Sequence, residues 1–319
     1  MTDMVVKTPP VLHIELNAVI VAVRDSMPFL LTGSGLALPS GPFETEHRTL
    51  EQGLRAWAKL KGEQTLGYVE QLYTFADKGR TSTDKNVGTD KNVGDKNSAR
   101  ERSVSIGYLA LVHANAIKTH APGWSPWYQH FPWEDHRDGS PPMIAKVIMP
   151  VLNKWKAMAP HPSVKRERAE RIGVAFPADP RQWNEELVLQ RYELLWEAGL
   201  VEEAQGKGTK MLGLAMPHDH RRILATAMAR LRAKIKYRPV VFELLPEKFT
   251  LLHLQNTVEA LAGLRLHKQN FRRLVETQGL VEETGAVTSG ASGRPAQLFA
   301  FRRKVLRERA TAGTKLPRS

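Results

Sequence analysis

The sequence predicts an α+β fold in two units: a mixed α/β/α sandwich with a helical insertion, then a small winged helix-turn-helix. Three observations carry this expectation. Residues 11–112 alternate apolar runs of strand length with one amphipathic segment, residues 142–236 turn to helical periodicity, and two short helices with a glycine-rich hairpin close the pattern near residue 301.

Composition sets the bounds. At 319 residues the chain is long enough for two domains, each with its own core. Its net charge of +13 is concentrated: Asp219 to Ser319 holds 20 Lys and Arg against 8 Asp and Glu, a net +12, which leaves residues 1–218 at +1. A local excess of this kind suits a polyanion. No membrane partner is expected, because there is no run of 18 apolar residues and no signal peptide at the amino end. With no cysteine, disulfides and thiolate metal sites are excluded, and a reducing cytoplasm fits.

In chain order, Ala18 to Val23 and Phe29 to Leu31 are apolar runs split by Arg24, Asp25 and Ser26, which reads as two strands around a turn. The loop Gly33 to Gly41 leads to a helix near Leu50 to Leu60, closed by Lys61 and Gly62. Strand signals return at Tyr68 to Phe75 and Val104 to Val112. Between them Thr83 to Gly88 repeats at once as Thr89 to Gly94, inside a polar tract (81–99) that cannot bury a core and reads as a flexible loop.

The stretch Trp124 to Arg137 sets Trp124, Trp127, Tyr128, Phe131 and Trp133 beside His130, Glu134, Asp135, His136 and Arg137. Two roles suit it: stacking a base and holding its phosphates through Trp124, Trp127, Tyr128, Trp133 and Arg137, or plugging the sandwich with large side chains. His130, Glu134 and His136 also make a loosely spaced candidate metal set.

Residues 140–210 read as a largely helical insertion. Ile144, Val147, Ile148, Val151 and Trp155 recur at helical spacing, Ser163 is expected to cap a charged turn, and Asp179 with Pro180 to start a helix with Trp183, Leu187 and Leu194 inward. Gly206 to Thr209 imitates part of a phosphate-binding loop but lacks its upstream glycine and its helix. A last helix, 219–236, aligns Ile223, Ala227, Leu231 and Ile235 before Pro239; it is expected to connect the two units and to be a helix on which a partner copy packs.

In the final segment Thr250 stands at a helix N-cap, with Leu251, Leu254, Val258 and Leu261 forming one buried stripe before Gly263. A second helix runs from His267 to Gln278 with Phe271, Leu274 and Val275 inward, leaving Lys268, Gln269, Asn270, Arg272 and Arg273 outward. That outward set is what a major-groove helix needs, since Arg pairs bidentately with guanine, Gln and Asn with adenine, and Lys neutralises phosphate. Leu280 to Thr284 and Gln297 to Phe301 read as paired strands around a loop holding Gly293, Arg294 and Pro295, which places Arg294 for a narrow minor groove.

The segment Leu38 to Gly62 resembles the Nudix signature, in which a glycine is followed at fixed intervals by glutamates, an arginine and a second glycine. From Gly41 the sequence keeps Arg55 and Gly62, but His47, Ala56, Lys59 and Leu60 occupy the glutamate positions. Magnesium is a hard cation that needs carboxylate oxygens, so the resemblance implies a scaffold without hydrolysis. Arg55 is left either to pair with Glu51 one turn back or to touch ligand. The segments Phe242 to Thr250 (FELLPEKFT), Asn270 to Arg273 (NFRR), Leu280 to Gly285 (LVEETG) and Gly293 to Ala296 (GRPA) resemble the Nudix-related transcriptional regulators of NAD metabolism, of NrtR-type architecture. Trp127 to Arg137 with the insertion is similar to their NadQ branch.

The resemblance implies a homodimeric repressor of NAD-synthesis genes on a palindromic operator, requiring no cofactor and responding to an effector such as NAD, ATP or ADP-ribose. The expected division is a sensing unit at 1–238, the winged helix at 239–303, with Thr250 among its DNA-facing residues, and a basic tail at 304–319. The alternative is a nucleotide diphosphate hydrolase with non-standard acids, from Glu44, Glu46, Glu134 or Asp135.

Overall fold

The computed structural model describes residues 11–62, 66–76, 101–117, 123–205, 212–288 and 295–304. The duplicated tract, the phosphate-loop imitation at 206–209, Arg294 and the tail beyond 304 lie outside them.

The central strand β1 (Val11–Arg24) explains why its sequence is apolar almost without interruption. It pairs in parallel with β5 (Glu101–Leu111) from Val11↔Glu101 to Val21↔Leu111, and antiparallel with β2 (Met27–Leu31) and the short β3 (Ser40–Pro42). With β4 (Tyr68–Phe75) and β6 (Trp124–Pro126) the order is β4-β5-β1-β2-β6, and β3 pairs with β1 off that path. Such a strand is covered on both faces. Leu16, Ala18, Ile20 and Ala22 pack toward α1 (Leu50–Gly62) with Leu54 and Ala58, whereas Val19, Val21 and Val23 belong to the larger core with Ile223 and Leu224. Gly41, at the start of the Nudix-like box, is fixed by packing: a Cβ there would fall on the Trp57 indole.

The insertion departs from its sequence reading at two starts. A π-helical turn, Ile144–Ile148, runs into α2 (Met149–Ala157), and α3 spans Pro162–Ala175. Ser163 does not cap α3; His161 holds the cap position and Pro162 opens the first turn, where its missing N–H costs nothing. Asp179 does cap, but only the 3-10 turn Pro180–Gln182, and α4 begins later, at Val188–Glu197. A short α5 (Glu202–Gln205) follows.

The connecting helix α6 (His220–Tyr237) falls where its periodicity places it, but its stripe is occupied within the chain. It packs on β1, β4, β5 and α4 and against the helix that follows, and Ile223, Ala227 and Leu231 are buried there.

The last unit comprises α7 (Leu251–Ala262), α8 (Lys268–Thr277), β7 (Val281–Val287) and β8 (Gln297–Phe301), with Phe249 bridging Phe299. Strand β7 runs past the expected end because Gly285, at φ +71°, carries an irregularity after which pairing resumes at Val287↔Gln297. Leu274 is the misplaced residue: it is 53% exposed, one position off the inward pair Phe271 and Val275. The separate cores expected for the two units are one, since Leu254, Leu261 and Phe271 share a cluster with Trp127, Leu195 and Met228.

Thr250 caps α7 by accepting the His253 amide at 3.0 Å. Thr250→Ala should cost about 1 kcal/mol and Thr250→Ser only a fraction of that. Denaturant midpoints test this, and equal midpoints for wild type and the alanine variant would remove the cap from the account.

Candidate nucleic-acid interface and its anchor

Helix α8 divides cleanly. Phe271 and Val275 anchor it, while Lys268, Gln269, Asn270, Arg272 and Arg273 are exposed and have no side-chain hydrogen bond or ion pair among the described residues. An exposed cation with no partner among the described residues suits phosphate or a base edge. Arg265, in the turn before α8, differs: it pairs with Glu259 at 3.1 Å and Asp138 at 3.5 Å. The hydroxyl of Thr250 is engaged as the α7 cap.

What holds this face is a buried cluster. The Glu134 carboxylate accepts from Arg191 Nε at 2.6 Å and its terminal nitrogen at 2.9 Å, and from Arg232 at 2.6 Å, with all three side chains fully buried. Burial by itself pushes the carboxyl pKa up, but the two guanidiniums outweigh it, and the group lies below the ordinary glutamate value. Arg191 also stacks over the Trp183 ring, 3.8 Å from its centroid, and Trp183 lies 3.9 Å from the His136 ring.

The same cluster caps α7. Helices leave their last carbonyls without internal partners. Here Tyr128 Oη donates to Ala260 O at 2.7 Å, Arg232 Nε to Leu261 O at 2.9 Å and the His136 amide to Gly263 O at 2.8 Å. Gly263 is left-handed, at φ +71°, and a Cβ there would lie 2.3 Å from the Glu134 carbonyl oxygen. The sandwich thus closes the turn that leads into α8.

These positions decide between the two roles of the aromatic stretch. Trp127, Phe131 and Trp133 are wholly buried in edge-to-face contacts, and Tyr128 is spent on α7, so the stretch plugs and clamps. Trp127, Tyr128 and Trp133 are corrected as effector contacts, because no face of their rings is open to a base. Trp124 is half-buried against the smaller core. Arg137 is held by Asp135 at 2.7 Å and by Ser26 O at 2.5 Å. Arg55 takes the structural option, donating to Glu51 at 2.9 Å and to Leu66 O at 2.5 Å.

The candidate metal set does not converge either. His130 Nε2 meets Ser125 and Nδ1 meets Leu214 O, His136 meets Trp133 O, and Glu134 is taken by arginines. Among the described residues no group of three or more His, Asp or Glu is placed to hold a metal. At the Nudix-like box His47 accepts the Glu44 amide, Lys59 is exposed, and Glu44 and Glu46 point to solvent from the loop before α1. Sequence reasoning missed Arg191 and Arg232, and it placed Gly263 at the end of α7 without its contact to the Glu134 carbonyl; the one local signal was a charged residue, Arg232, set beside Leu231 on a buried helix.

Fold and interface together define a class: a Nudix-like α+β unit carrying a winged-helix DNA-binding domain. Residues 241–306 match the NrtR DNA-binding winged helix domain. The ADPR responsive transcriptional repressor NtrR of Acinetobacter baylyi is 42% identical over 90 residues, 28% of this chain and 36% of that protein. The match thus spans about a third of the relative's length. The fold is similar to that of Shewanella oneidensis NrtR complexed with a 27mer DNA (TM-score 0.52, 20% identity, 92% of this chain and 94% of that one). It is also similar to a MutT/nudix family protein from Enterococcus faecalis (TM-score 0.50, 14% identity, 93% and 89%). No helix among the described residues is long and apolar enough to cross a membrane.

Glu134→Gln strands two buried guanidiniums and should destabilise the protein by about 3–5 kcal/mol. A loss below 1 kcal/mol in urea unfolding would show that the cluster is not under load. A second outcome concerns pH. Burial pushes His130 down to about 4, so between about pH 6.5 and 4 the unfolded chain binds a proton that the native chain refuses. Stability should therefore decline as pH falls through that window, with the half-buried His136, also pushed down by its burial, adding in the same direction. His130→Gln should flatten the decline between pH 7 and 5; a profile parallel to wild type contradicts it.

Proposed function

We propose that the chain is a transcriptional repressor that binds operator DNA through α8 and is released or retained by a nucleotide bound in its Nudix-like unit. The observation that carries this reading is the match of residues 241–306 to the NrtR DNA-binding winged helix domain, together with the exposed cations of α8, which have no ion-pair partner among the described residues. The Acinetobacter baylyi relative, a repressor responsive to ADPR, makes ADP-ribose the first effector to try, ahead of NAD and ATP. The genes controlled are those of NAD synthesis. A homodimer would present two α8 helices about 34 Å apart, one turn of duplex. Arg294 then serves the adjacent minor groove.

The same reading makes the Nudix-like unit a sensor rather than a hydrolase. His47, Ala56 and Lys59 offer no carboxylate where magnesium would be held, which supports the absence of hydrolysis. The alternative acids lend the hydrolase little, because Glu134 and Asp135 are each committed to arginine.

Fluorescence anisotropy with duplexes from NAD-synthesis promoters tests the reading. Arg272→Ala or Arg273→Ala should weaken specific binding by about 1–3 kcal/mol where that residue is bidentate to a base. Wild-type affinity in both variants would remove α8 as the reading helix. Release of AMP from ADP-ribose with added magnesium, without binding to any duplex, would favour the hydrolase instead.

A further inference from the structure

We infer that the helical hairpin of the insertion, α2 with α3, is a second surface for duplex DNA, gripping phosphates that flank the stretch met by α8. It rests on the repressor reading and adds a contact to that partner. Residues 144–175 hold seven Lys and Arg against two Glu, a net +5, although residues 1–218 carry only +1 altogether. A local excess inside a nearly neutral unit suits a polyanion.

Helix α3 sorts its charges. At about 3.6 residues per turn Pro162, Lys165, Arg166, Ala169 and Gly173 share one outer face, all of them exposed, while Glu167 and Glu170 fall on another. Two committed arginines show which way each face looks. Arg168 turns to α2, stacking over Trp155 at 4.0 Å and donating to Trp155 O at 2.6 Å, whereas Arg171 turns to α4 and pairs with Glu197 at 2.7 Å. The side of Lys165 is therefore the α2 side, where Lys154 is exposed as well. Lys154, Lys165 and Arg166 have no side-chain hydrogen bond or ion pair among the described residues. Between Lys165 and Arg166 on that face lie only small residues, and a Cβ on Gly173 would meet nothing within 4 Å, so a phosphate backbone can come close to the helix.

This surface is continuous with the first. Asp138, shortly before the π-helical turn, meets Arg265 at 3.5 Å, and Glu185, after α3, lines one cleft with Leu266 and Leu274. The insertion is thus rooted beside α8 on both sides of the hairpin. A helix of the length of α3 spans about 21 Å, the rise of about six base pairs, so the hairpin can follow a duplex past the part that α8 meets.

Fluorescence anisotropy of the full chain tests this on two duplexes, one from an NAD-synthesis promoter and one of unrelated sequence, between about 50 and 200 mM salt. Phosphate contacts carry no sequence information. Replacing all three cations together (Lys154→Gln, Lys165→Gln, Arg166→Gln) should therefore weaken both duplexes alike, by about tenfold at the lower salt, and make the dependence of log Kd on log salt shallower by about 2–3. The three side chains are exposed, so the variant keeps its core. Unchanged affinity and slope on both duplexes overturn the assignment, as does a loss confined to the promoter duplex. Stronger retention of the wild type than of the variant on phosphatidylserine vesicles, with duplex binding unchanged, overturns it in favour of a lipid surface. The two readings fail separately. If Arg272→Ala weakens the promoter duplex while the triple variant binds as wild type, the hairpin alone falls. If the triple variant is weakened on both duplexes while the promoter is bound no more tightly than the unrelated sequence and ignores Arg272→Ala, the repressor reading falls and the hairpin surface stands.

Discussion

One carboxylate, that of Glu134, holds three parts of the chain together, and the rest of the architecture follows from keeping it neutralised. It belongs to the loop after β6, Arg191 to the insertion, and Arg232 to the connecting helix. Taking three charges out of water is costly, and the cost is offset only when every donor and acceptor is used. Here nearly all of them are: Arg191 also donates to Asn184 O, and Arg232 to Glu185 O and Leu261 O. The insertion is thereby a structural partner of the sandwich, with α4 laid on α6 and the turn at 184–185 pinned by the same two arginines.

From this cluster the constraint passes to α8. The carbonyls at the end of α7 are satisfied by Tyr128, Arg232 and His136, none of which belongs to the winged helix. The turn that aims α8 is set by groups of the sandwich, and Gly263 is the only residue type that fits so close to the Glu134 carbonyl. A change in the loop 127–137 therefore reaches α8 through hydrogen bonds and a shared core, with no linker between them.

Much of the fold was legible because local pattern and burial agree. The strands around Arg24 to Ser26, the helix near residue 50 and the exposed cations of α8 follow from alternation and helical spacing. The aromatic stretch was ambiguous for a physical reason: indole and phenol rings suit a base and a core equally, and only the direction of each ring decides. The cluster was invisible because its members lie 57 and 98 residues apart and two of them are ordinary arginines in helical sequence. Leu274 misled because an apolar residue between two buried ones falls outside the stripe by one position.

The closure of α7 by foreign donors has a consequence for modularity. Winged helices are commonly treated as cassettes that can be cut out and grafted elsewhere. This one would leave behind the groups that finish its second-last helix, and a graft would carry three bare carbonyls and an apolar flank into water. Recombination that exchanges this domain for another must therefore carry the loop 127–137 and the connecting helix with it, so the heritable unit here is larger than the winged helix itself.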